Sequence, residues 1–134
     1  MQKTIDYWME ESDEASKVAD HLFEKKDYSY SLFFGHLAVE KIIKAIYAKK
    51  RGEHSPQIYN LVRLAEQAGI KLTPEQKDTL NKITAFNLES RYPDEKRSFR
   101  IKCTEKFTSE NCGRILLKKK LCFWTRKTLT KEGN

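Results

Sequence analysis

Phe33-Phe34-Gly35-His36-Leu37-Ala38-Val39-Glu40-Lys41-Ile42-Ile43-Lys44-Ala45-Ile46 sets the architecture of this chain. Leu37, Val39, Ile42, Ile43 and Ile46 leave almost no side of a helix free of apolar residues. A helix apolar on that many sides lies at the centre of its domain. His36, Glu40 and Lys44 recur at a spacing of four and draw one polar line along it. A polar line on a buried helix needs partners or water. It reads either as a solvated seam of i,i+4 pairs or as the wall of a cleft or dimer contact.

Outward from this stretch the pattern stays helical. An amphipathic helix is predicted over 4–25, capped by Thr4, with Ile5, Trp8, Ala15, Ala19 and Leu22 inside, and Met9, Val18 and Phe23 widening the stripe. Its other face is acidic, with Glu10, Glu11, Asp13 and Glu14. The central helix runs over 28–51 and closes at Gly52. A short third helix is predicted from residue 56 or 57 to 68, with Ile58, Leu61, Leu64, Ala65 and Ala68 inside and Gly69 as its stop. Thr73-Pro74-Glu75-Gln76 carries a helix start: a capping threonine, proline at the first helical position and Gln76 three residues on. That fourth helix reaches about residue 90, with Leu80, Ile83, Thr84 and Leu88 inward, and Arg91-Tyr92-Pro93 ends it. Residues 94–103 lack periodicity and read as a loop, and a last helix is predicted over 104–129 with Phe107, Cys112, Ile115, Leu116, Cys122 and Phe123 inside.

Composition agrees. The 134 residues suffice for one domain with a real core, and the expectation is a single domain over 1–134. With 5 Gly, 3 Pro and 34% charged residues, there is little material for hairpins and most helices need one wet face. The fold class is therefore all-α, an up-and-down bundle of about five helices. No apolar run is long enough to span a bilayer, the chain opens on a polar, acidic helix, and no membrane association is expected. Cys103, Cys112 and Cys122 are an odd, scattered set, which fits a reduced, cytoplasmic compartment better than a disulfide or zinc framework.

The net charge of +7 is unevenly placed. Residues 1–90 hold 13 basic and 14 acidic side chains, whereas residues 91–134 hold 13 basic and 5 acidic, so the whole excess lies in the last third. Such an excess suits RNA or another polyanion, and equally suits solvation of a helix end. Phe123 and Trp124, set among Lys118, Lys119, Lys120, Arg126 and Lys127, read either as core or as rings on which bases stack.

Signals of chemistry are sparse. His21, His36 and His54 fall in three separate elements with no metal-ligand spacing, so no metal site is expected, and no cofactor either. No nucleophile triad or glycine-rich phosphate loop is present in the sequence. Arg91-Tyr92-Pro93-Asp94 stands out, because an arginine just beyond a helix end can hold a carboxylate or a phosphate. It reads as a ligand site or as a corner tying the fourth helix to an acid such as Glu40.

The ordered set resembles the HEPN family of small helical proteins, over nearly the whole chain from Trp8 to about Leu129. Similar proteins carry a tryptophan and small residues in the first helix, then a glutamine- or histidine-led Ala-x-Glu-Lys-x-x-Lys-Ala core, here His36, Ala38, Glu40, Lys41, Lys44 and Ala45. Their middle usually reads His-Asp-Leu, where this chain has Tyr59-Asn60-Leu61, and Arg91-Tyr92-Pro93-Asp94 recurs in one branch of the family. The resemblance implies a bundle of four or five helices, a homodimer, and work beside a minimal nucleotidyltransferase in a two-component, toxin–antitoxin-like system.

Many active HEPN ribonucleases use an arginine followed, four to six residues later, by a histidine that promotes attack by the ribose 2′-hydroxyl. Arg91 is the matching arginine, but the positions that follow lead to Lys96, Arg97 and Ser98, and no histidine occurs after His54. The related tyrosine pattern is unmet too, because Tyr92 is the last tyrosine. The expectation is thus a non-catalytic protein that binds a nucleotide, an RNA or a partner nucleotidyltransferase. Its candidate ligand residues are Arg91, Tyr92, Asp94, Arg97, His36, Glu40 and Lys44. The alternatives are a metal-independent endoribonuclease with an altered site, built on Arg91, Arg97 and His36 or Glu40, and a purely structural adaptor.

Overall fold

Small side chains fill the contact between the first two helices. The computed structural model describes residues 1–91 and 100–110. Helix α1 (Gln2–Glu24) runs antiparallel to α2 (Tyr28–Arg51), meeting it through Ala15 and Ala19 on one side and Ala38, Ala45 and Ala48 on the other, all buried. Two buried hydroxyls stitch the pair: Ser12 donates to the Ala38 carbonyl and Ser31 to the Ala19 carbonyl, both at 2.7 Å. Ile5 packs near the far end of α2 with Ala45 and Ala48, flanked by Trp8 and Met9.

The opposite face of α2 carries the main core. Leu32, Val39, Ile42, Ile43 and Ile46 pack with Leu61, Leu64 and Ala65 of α3 (Leu61–Gln67), with Leu80, Ile83 and Phe86 of α4 (Pro74–Arg91), and with Cys103. The two faces together explain why the central stretch is apolar nearly all round: α1 takes one side and α3 with α4 the other. No strand occurs among the described residues, and the all-α bundle expected from composition is the observed fold.

The turns follow from local chemistry. The 25–27 turn is closed by Lys26 N–H to the Phe23 carbonyl at 3.0 Å and Asp27 N–H to the Leu22 carbonyl at 2.8 Å, with Lys26 in the left-handed region at φ 65°. Glycine is the usual residue at that position. The same wrap ends α3, where Gly69 takes φ 82° and Ile70 N–H reaches the Ala65 carbonyl at 3.0 Å. The start of α4 is the reciprocal box expected: Thr73 N–H to Gln76 Oε1 at 2.9 Å and Gln76 N–H to Thr73 Oγ1 at 3.2 Å.

Several boundaries differ from the sequence reading. Thr4 does not cap α1; the helix starts two residues earlier, with Met1 at the cap position and no side-chain cap bond. Helix α3 starts at Leu61 rather than at 56 or 57, because Asn60 Oδ1 accepts from Arg63 N–H at 3.0 Å and Thr84 Oγ1 accepts from Leu61 N–H at 3.2 Å. These two oxygens satisfy donors that an amino-terminal turn leaves open. Ile58 still packs against the core, but from non-helical chain. The loop expected over 94–103 contains a helical turn at 100–102, and helix resumes at 105–110 with Thr104 Oγ1 accepting from Phe107 N–H at 3.1 Å. The remainder of the expected last helix, with Cys112, Cys122, Phe123, Trp124 and Lys118 to Lys120, lies outside the described residues.

Candidate functional site

The α2 register places His36, Glu40 and Lys44 on adjacent turns of one face. They form a graded line. The His36 side chain is 1% exposed, whereas those of Glu40 and Lys44 are each 15% exposed. Lys44 Nζ sits 3.0 Å from Glu40 Oε1, and His36 Nε2 sits 3.6 Å from Glu40 Oε2. The first distance is a short ion pair; the second is too long for a hydrogen bond. Among the described residues neither ring nitrogen of His36 has a hydrogen-bond partner. The ring lies nearly parallel to Phe33, with centroids 6.2 Å apart.

Burial pushes the His36 pKa down to about 4, with Glu40 pulling it upward and Lys44 pushing it further down. At neutral pH the imidazole is therefore uncharged, and its burial gives it no open path to a solvent-side substrate. Trp8 completes the surroundings: its ring centroid lies 4.8 Å from Lys44 Nζ and 5.5 Å from Lys41 Nζ. Lys41 also reaches toward Glu11 at 3.9 Å. Trp8 packs against the Ile5, Ala45 and Ala48 cluster, as the core stripe of α1 requires, and its partly buried ring also covers the cations of α2. The line is thus engaged by α1, with its carboxylate already held by a lysine.

Of the other candidates, Arg91 is the last residue of α4, and only its backbone is described. Tyr92, Asp94 and Arg97 lie outside the described residues. The expected meeting of the Arg91 corner with the polar line stays a proposal.

A second polar assembly, not singled out from the sequence, sits at the amino end of α2. A groove of about 370 Å³ is lined by Lys26, Asp27, Tyr28, Ser29, Tyr30, Arg100 and Cys103. Arg100 Nη2 donates to the Tyr30 hydroxyl at 2.7 Å, and its guanidinium carbon lies 5.4 Å from the ring centroid. Partial burial, and then the nearby Glu105 carboxylate, raise the Tyr28 phenol pKa. Tyr30 and Arg100 are seventy residues apart in sequence, and no local pattern signals their pairing.

Among the described residues no group of three or more His, Cys, Asp or Glu side chains could hold a metal ion. No described helix is long and apolar enough to cross a membrane. No curated protein and no solved structure matches the chain. The model of the HEPN domain matches residues 5–119. That span takes in α1 to α4 and most of the basic last third, and the chain belongs to the HEPN domain family.

Proposed function

We propose that this protein acts by binding rather than by catalysis: it forms a homodimer that holds RNA or a nucleotide, beside a nucleotidyltransferase partner of a toxin–antitoxin-like pair. HEPN domains serve nucleotide- or RNA-related functions in general and often act as dimers. The observation that carries the non-catalytic reading is the state of His36. A general acid or base for ribose 2′-hydroxyl attack needs a pKa near the working pH and access to the reacting proton. His36 is buried, with its pKa lowered to about 4. Glu40, the neighbouring base, is paired to Lys44 at 3.0 Å. No histidine follows His54 in the sequence to replace it.

Binding draws its support from charge. Residues 91–134 carry 13 basic and 5 acidic side chains, enough to attract a polyanion. Fluorescence anisotropy of a labelled single-stranded RNA across a salt series tests this. Affinity should fall steeply with salt, and replacing Lys118, Lys119 and Lys120 with Gln should lower both affinity and slope. Undetectable RNA binding at low salt, or binding unchanged in the triple variant, would remove the electrostatic basis of the reading.

A further inference from the structure

We infer that the groove at the 25–30 turn is a phosphate-recognition subsite, which takes one sugar-phosphate unit of the RNA or nucleotide; this rests on the binding reading above. Its volume, about 370 Å³, lies within the range of small-ligand sites. Its wall is rich in donors. Lys26 contributes an ammonium, Arg100 a guanidinium, and Tyr28, Ser29 and Tyr30 contribute hydroxyls. Arg100 is exposed, and its bond to Tyr30 at 2.7 Å orients one edge of its fork. The remaining N–H groups keep the planar geometry that suits two phosphate oxygens.

The acidic members define the rest of the ligand. Asp27 lines the same groove, and a carboxylate there accepts from sugar hydroxyls. The Glu105 carboxylate acts on Tyr28 and would repel a phosphate there, so the Tyr28 hydroxyl faces the sugar rather than the phosphate. The phosphate therefore belongs on the Lys26–Arg100 side and the sugar near Asp27. A bare anion would use only half of the lining.

The test is a titration of the full-length wild type with adenosine monophosphate, a short single-stranded RNA and inorganic phosphate, followed by calorimetry or anisotropy. Arg100→Ala and Tyr30→Phe are the variants, with circular dichroism to check the fold. Tyr30→Phe keeps the ring and removes only the hydroxyl. Arg100→Ala should weaken nucleotide and short-RNA binding about tenfold or more, as expected for loss of a charge-assisted pair. Tyr30→Phe should weaken it several-fold, and inorganic phosphate should bind more weakly than the nucleotide. If wild type binds RNA and both groove variants bind it equally well, the subsite is overturned while the binding function stands. If inorganic phosphate binds as well as the nucleotide, the sugar assignment to Asp27 is overturned. If wild type binds no RNA and no nucleotide, subsite and function fall together.

Discussion

His36 Nε2 stands 3.6 Å from Glu40 Oε2, one helical turn away on α2, while Lys44 holds the other Glu40 oxygen at 3.0 Å. The carboxylate is held by a full cation and stands beside a neutral, buried ring that it does not hydrogen-bond. The three side chains form a polar line within α2, covered from α1 by the Trp8 ring over Lys44, and the neutral state of His36 is what makes its burial tolerable.

That state predicts a pH dependence of stability. The folded-state pKa of about 4 lies below the ordinary 6.5, so between those values the unfolded chain binds more protons than the folded one. The His36 contribution is complete above pH 6.5, declines as pH falls from 6.5 towards 4, and is lost below that. The total is on the order of 3 kcal/mol, from about 1.4 kcal/mol for each pKa unit. Urea unfolding at pH 7.5 and pH 4.5, for wild type and His36→Phe, measures it. The wild type should lose clearly more stability on acidification than the variant.

The serine stitches between α1 and α2 predict a measurable loss. Ser12→Ala and Ser31→Ala each remove a buried hydroxyl bonded at 2.7 Å, and each should cost about 1 kcal/mol. Ser12 and Ala19, the α1 ends of the two bonds, are about 10 Å apart along the helix. The two losses should therefore add in the double variant, as read by chemical denaturation.

Lys26 predicts a trade between stability and binding. A non-glycine residue at φ 65° is strained by about 1 kcal/mol. Lys26→Gly should raise the thermal midpoint, while removal of its ammonium from the groove should weaken nucleotide binding. A variant that is more stable and binds as tightly would show that Lys26 has no part in the subsite.

The legible parts of this molecule were those written in local chemistry. The central helix over Tyr28–Arg51 and its Gly52 terminus, the Thr73–Gln76 box and the Gly69 stop each depend on a few neighbouring residues. The α3 start is not legible locally, because the apolar Ile58 mimics a helix position, while Thr84, distant in sequence, supplies one of the caps. The Arg100–Tyr30 pair and the Trp8 cover over Lys41 and Lys44 were missed for the same reason. Both join elements whose meeting no periodicity encodes. Ser12, a polar residue at a helical position facing α2, was passed over in favour of its apolar neighbours, yet it is fully buried.

Assembly gives a further prediction. Light scattering at micromolar concentration should report a particle of two 15.8 kDa chains, since a two-fold pair is the commonest closed assembly. A monomer that shows no concentration dependence would contradict the dimer.

Incubation of the purified protein with labelled RNA in EDTA, following bound fraction and RNA length together, separates binding from cleavage. The RNA should be bound and intact, with Arg91→Ala lowering the bound fraction and leaving the length unchanged. RNA that is cut by the wild type in EDTA, with cutting abolished by Arg91→Ala, would contradict the non-catalytic reading and establish a ribonuclease with an altered site.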